Sequence, residues 1–218
     1  LFANTIILIP VMFLLGIAAL SVSAYGIIDF NGERYGDMLL VYACMMFAFE
    51  SIAQMLSVAF DNPLMGMLNF MQVWFSSFLF SGLFITIDDI VWPFRILSYI
   101  LPFKYAAQSL IYQEFIAEPF KGAQLCDPGS PNCISESGHN GAGEGWTCGT
   151  QSGDSVCYGH DGWQVLDTVG ASFDVISSDT RTGINIAILI GIAVGARLIY
   201  MFSMIQKANA ATTINPAK

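Results

Sequence analysis

Long uncharged blocks set the pattern of this chain. Residues 4–28 and 64–87 contain no charged side chain, residues 38–60 contain only Glu50, and residues 184–205 contain only Arg197. At a rise of ~1.5 Å per residue each block can cross a hydrocarbon core of roughly 30 Å. Lipid offers no hydrogen bonds, so a continuous apolar stretch of that length must satisfy its backbone internally as a helix. The pattern therefore predicts four transmembrane helices, at 4–28, 38–60, 64–87 and 183–207, in an all-α membrane protein.

The links between the blocks differ in kind. "DFNGERYGD" joins the first pair, and "DNP" joins the second and third. Asn62-Pro63 is a turn signal, with proline placed to start the next helix, so the second and third helices form a tight hairpin. After Asp88 and Asp89, which are too costly to enter hydrocarbon, the segment 90–117 turns apolar again but carries Pro93, Pro102, Arg95 and Lys104. Proline breaks it into short pieces, and its aromatic and basic residues suit an interface. It is expected to form re-entrant or interfacial helices, with Trp92, Phe94, Tyr99 and Phe103 toward lipid. Residues 1–118 thus make one membrane unit. Residues 119–182 form a polar, Gly-rich loop, 183–207 the last span and 208–218 a tail.

Composition sharpens this picture. Hydrophobic residues make up 55% of the 218 and charged residues only 11%, against roughly 25% charged in soluble domains. The mean hydropathy is +0.59. Net charge is -9, but most of the acids lie between Asp88 and Asp179, so the charge describes one extramembrane region and gives no basis for a nucleic-acid partner. The chain starts at Leu1 without a signal-peptide pattern and reads as a piece of a longer protein.

Cys126, Cys133, Cys148 and Cys157 all fall in the loop, and none has the C-x-x-C spacing common at zinc sites. Disulfides are the expected state, with three pairings open, because cross-links would order a loop that has little apolar content. Disulfides imply an oxidising compartment and place the loop outside the cell or in a lumen, with the C-terminus cytoplasmic. The distribution of Arg34, Arg95, Lys104, Lys121 and Arg181 against Lys207 and Lys218 argues the other way, but long translocated regions escape the positive-inside rule. Cys44, in the second helix, reads as a small buried hydrophobe.

No phosphate loop, H-E-x-x-H or G-x-S-x-G motif occurs, and His139 and His160 both lie in the Gly-rich loop, so no catalytic or metal site is expected in these residues. Glu50 is costly in mid-helix and should face a bundle interior, with Ser51 and Gln54 extending an intramembrane polar network. Arg197 is expected to snorkel from the last helix as an anchor or packing residue. Gly191 and Gly195, preceded by Ala187, give that helix a smooth face for close packing within the molecule. On the third helix, Met71, Phe75, Phe78 and Gly82 share one stripe, fit for lipid contact, helix packing or the lining of a greasy cavity.

One combination of elements is specific. A helix ending in "FSGLF" is followed by "WPFRILSYILPFKYAAQSLIYQEF", a loop with "CYGHDGWQVLDTVG" and a closing helix with "ARLIYMF". Together they resemble the C-terminal half of the transmembrane domain of G-subfamily ATP-binding cassette transporters, the White and breast-cancer-resistance type, over residues 1–207. The resemblance implies that ATP and magnesium are bound on a nucleotide-binding domain that precedes Leu1 together with two further helices. It also implies a second half-transporter, identical or different, and an exported lipid, sterol or amphipathic compound handled in a plasma or other membrane. Met71, Phe75 and Phe78 match substrate-cavity positions. Leu83 matches a hydrophobic plug, where Phe84 replaces a second leucine. The alternative from the residues alone is a tetraspanin-like four-helix scaffold, although no adjacent cysteines occur. A membrane-embedded enzyme or channel lacks the cluster of intramembrane His, Asp or Glu it would need.

Overall fold

The computed structural model describes residues 2–25, 34–116, 123–127, 133, 145–148, 158–173 and 175–214. Helix α1 spans Phe2–Ala19 and continues as a π-helical turn, Leu20–Tyr25. Helix α2 spans Tyr35–Ala59, α3 Pro63–Leu79, α4 Arg95–Ile100 and α5 Phe103–Phe115, with a short 3-10 turn at Ile87–Asp89. Strands β1 (Ala123–Cys126) and β2 (Gly145–Cys148), helix α6 (Gly162–Gly170) and helix α7 (Thr182–Ile214) complete the described elements. The protein is mostly helical. The two strands pair antiparallel, with Ala123 opposite Cys148 and Cys126 opposite Gly145, so the all-α expectation is corrected in the loop.

Three helical stretches among the described residues are long and apolar enough to cross a membrane: Thr5–Val22, Tyr35–Ala59 and Thr182–Asn209. The expected third span, at 64–87, is shorter than its apolar block. Helix α3 has 17 residues, roughly 25 Å of helix, and stops at Leu79 instead of 87. The acids at 88 and 89 do not end it. Ser81 Oγ donates to the Phe78 carbonyl at 2.8 Å, and Gly82 takes a left-handed φ of 89°, a conformation that an L side chain adopts at a cost. Hydropathy cannot see either cause. At its other end α3 follows the turn signal: Asn62 Oδ1 accepts from Leu64 N at 3.0 Å, and Pro63 occupies the first turn.

Helix α2 is the hub, packing against α1, α3, α5 and α7. Val41 of α2, Ala106 of α5 and Leu189 of α7 form one fully buried cluster. Met38 packs with Leu20 in another. The segment expected to be re-entrant or interfacial contains α4 and α5, and α5 packs against α2 and α7 with Ala106, Ala107, Ser109 and Gln113 buried. Trp92, Phe94 and Tyr99 are exposed. Phe103 packs edge-on against Phe78 instead of facing outward.

The loop is tied at several points. Cys126 and Cys133 form a disulfide, and Cys148 is also disulfide-bonded; Cys157 and His139 lie outside the described residues. Gly145 is required beside the first bridge, because a Cβ there would collide with Cys133 Sγ. Gly162 likewise lets the start of α6 sit on the Phe115 carbonyl at the end of α5. Gln164 Oε1 accepts from His160 N at 2.9 Å and Asp161 N at 3.4 Å, closing the first turn of α6. Helix α7 runs on to Ile214, well into the expected tail.

Candidate functional site

Two groups of residues stand out within the bundle, one polar and buried, the other apolar and exposed. The polar group centres on Arg197. Its side chain is only 6% exposed, which corrects the expectation that it snorkels. Arg197 Nε donates to Ser51 Oγ of α2 at 3.0 Å, and Nη1 donates to Thr5 Oγ1 of α1. The guanidinium lies 4.5 Å from the centre of the Phe47 ring, a cation–π contact that strengthens when water is excluded. Ser51 in turn donates to the Phe47 carbonyl at 2.7 Å. One α7 side chain thereby joins α1, α2 and α7.

Glu50 and Gln54 lie on the same stretch of α2, one helical turn apart. Gln54 Nε2 donates to Glu50 Oε1 at 3.1 Å. Arg197 Nη2 is buried without a hydrogen-bond acceptor among the described residues. Such a donor is expensive at membrane depth, so the cluster holds one unused hydrogen-bonding capacity.

A second polar layer sits nearer the loop. Gln113 Nε2 donates to Thr182 Oγ1 at 3.1 Å and Gln113 Oε1 accepts from Arg34 Nη1 at 2.8 Å. Asn185 Nδ2 donates to Ser109 Oγ at 2.9 Å. These bonds lock α5 between the start of α2 and the start of α7. Sequence reasoning missed all of these residues. The signal was present in the four-residue spacing of Ser109 and Gln113, which puts both on one face of α5.

The apolar group lies on α3. Met71 and Phe75 are 51% and 55% exposed, and Trp74 is exposed beside them. In α3 only Gly66 and Ser77 are buried. Phe78 turns toward the following segment, its ring 4.8 Å from that of Phe84 and 5.4 Å from that of Phe103. Leu83 is partly buried and Phe84 exposed, both in the irregular stretch after α3 and not on its last turn. Ser77 Oγ accepts from Phe103 N at 3.2 Å and links α3 to α5. Gly82 packs beneath the loop, where a Cβ would touch Ile87 and Val175.

Among the described residues, Gly191 and Gly195 do not serve as an internal packing face. A Cβ at either would meet none of those residues within 4 Å, and Gly191 is exposed. Helix α7 packs instead through Asn185, Leu189, Ala193, Ala196 and Arg197, all buried on its opposite side.

No curated protein matches the chain. A protein-family model described as "ABC-2 type transporter" matches residues 1–115, which takes in α1 through the last residue of α5.

Proposed function

The chain belongs to the ABC-2 type transporter family, and from that premise we propose that it forms the membrane-spanning part of an ATP-driven exporter of the G-subfamily type, moving a lipid, sterol or amphipathic compound. Membership also replaces the tetraspanin-like scaffold reading, since an ABC-2 membrane domain is an integral membrane transport unit. The observation that carries the finer reading is the α3 face. In a chain whose other long helices bury polar contacts against one another, α3 leaves Met71, Trp74 and Phe75 uncovered and packs Phe78 against Phe84 at its end.

Such a face suits a greasy substrate, because apolar and aromatic side chains with few polar partners bind by area and not by fixed hydrogen bonds. Met71, Phe75 and Phe78 line the cavity in this reading. Leu83 and Phe84, held after α3 by the Gly82 turn, close its end as the plug. Glu50 and Gln54 act as a polar lock inside the bundle. A second half-transporter faces α3 across the cavity. ATP and magnesium are held by a nucleotide-binding domain outside these residues, so no catalytic group is assigned within them. The loop disulfide favours an extracellular or lumenal position for residues 119–182, with the end of α7 cytoplasmic.

The test uses the full-length protein in lipid nanodiscs, with ATP hydrolysis measured against added amphipathic compounds. Phe75→Ala should weaken their stimulation of hydrolysis about tenfold, and Leu83→Ala should uncouple hydrolysis from transport. Unchanged stimulation and transport in both variants would remove the α3 face from the substrate path.

A further inference from the structure

On the side of the bundle away from α3, a cavity of about 260 Å³ lies between α1, α2 and α7, with Ile9, Met12, Phe13, Ala43, Cys44 and Ile190 in its wall. Phe47 completes the wall, and it is the same ring on which Arg197 stacks. Met12 and Ala43 are buried and form the floor, while Ile9 and Ile190 are exposed at the rim. Every lining residue lies within one of the three membrane-crossing stretches. The recess therefore opens toward hydrocarbon and not toward water.

An apolar recess of this kind does not hold water, and an empty one forfeits dispersion contacts along its whole lining. The occupant must be apolar, narrow and abundant at that depth. The depth itself can be read from the helices. Cys44 lies nine residues from Tyr35, and Ile190 lies eight from Thr182, so the cavity sits roughly 12–14 Å inside the ends of α2 and α7. Those two ends are on the same side of the bundle, because Gln113 bonds both Arg34 and Thr182. That depth is the middle of an acyl chain anchored in the leaflet nearest the cysteine-bearing loop.

We propose that this recess between α1, α2 and α7 is a binding site for one acyl chain of a bilayer phospholipid from the loop-side leaflet. The bound chain completes the packing of the three helices that Arg197 ties together and rests against Phe47, next to the guanidinium. The site is separate from the α3 face, since no α3 residue lines it, and it stands whether or not that face carries substrate.

The experiment reconstitutes the full-length protein in phosphatidylcholine vesicles containing a phosphatidylcholine with a photoreactive diazirine at mid-chain. Irradiation is followed by peptide mapping of the adducts. Adducts at Phe13, Cys44 and Ile190 should exceed those at Leu198 and Phe202, which are exposed on α7 outside the recess, by about tenfold. Ile190→Trp, which covers the mouth from an exposed position, should abolish the excess while leaving the Leu198 and Phe202 adducts and the melting temperature unchanged. Ile9→Trp serves the same purpose from α1 if the first variant melts early. Equal labelling inside and outside the recess would overturn the proposal. So would labelling weaker inside than outside, the result expected if another protein segment fills the cavity.

Discussion

The α1–α2–α7 bundle and helix α3 are built from similar amounts of apolar sequence, yet they use it in opposite ways. In the bundle the buried positions include Ser51, Asn185 and Arg197, and the apolar side chains Ile6, Ile7, Leu14 and Leu198 point outward. In α3 the outward face is equally apolar, but among the described residues the inward face offers one side-chain bond to another helix, from Phe103 N to Ser77. Hydrophobicity does not discriminate between lipid and a neighbouring helix, so in a membrane the polar bonds and close contacts decide which helices stay together. The bundle is fastened by such bonds, whereas α3 is held by shape and remains open on one side.

The largest test of that contrast is Arg197→Leu. It removes two donated bonds and the Phe47 contact, and unfolding titrations in mixed micelles should show a loss of roughly 2–3 kcal/mol. Phe75→Ala should change the same measurement by less than about 0.5 kcal/mol, because the side chain is exposed. Equal losses for the two variants would erase the distinction. Gly82→Ala probes the end of α3 and should cost ~1–2 kcal/mol through the left-handed backbone it strains. Faster hydrogen exchange confined to residues 80–86 would locate that strain at the turn, whereas exchange spread through α2 would show that α3 is fastened as tightly as the rest.

The smallest effect concerns Asp61, in the turn between α2 and α3. Its carboxylate accepts from Lys207 Nζ of α7 at 2.7 Å, and this bond with its charge holds the carboxyl below the usual carboxylate range. A depressed folded value means that the contact stabilises above the ordinary carboxylate range and is lost as pH falls through the folded value. Full exposure makes the contribution small. Melting temperature should decline slightly more on acidification in the native chain than in Asp61→Asn, and parallel pH profiles would show that the pair does not fasten the turn.

Much of this architecture was legible in the sequence, and the failures share a cause. Long, nearly uncharged apolar length finds α1, α2 and α7, and Asn62-Pro63 finds the hairpin, because both depend on local chemistry. The end of α3 was misplaced because a backbone angle at Gly82 and a bond from Ser81 outweigh the absence of any charge as far as residue 87. Arg197 packs between helices, as one of its two expected roles had it, but it does not snorkel, because its distance from the helix end does not reveal that Ser51, from far along the chain, waits beside it. The placing of Glu50 next to Gln54 followed from the four-residue spacing. Asn185 and Gln113 were missed because spacing marks only the shared face of Ser109 and Gln113 on α5, while the bonds to Asn185 and Thr182 reach across to α7.

Helix α7 has a mechanical consequence. Its 33 residues form a rod of roughly 50 Å, pinned near one end by Thr182 to Gln113, near the other by Lys207 to Asp61, and at an intermediate point by Arg197. A stiff rod held at its middle is a lever with Arg197 as the fulcrum. Any tilt that draws the Thr182 end toward α5 swings the Lys207 end the opposite way and carries the α2–α3 turn with it.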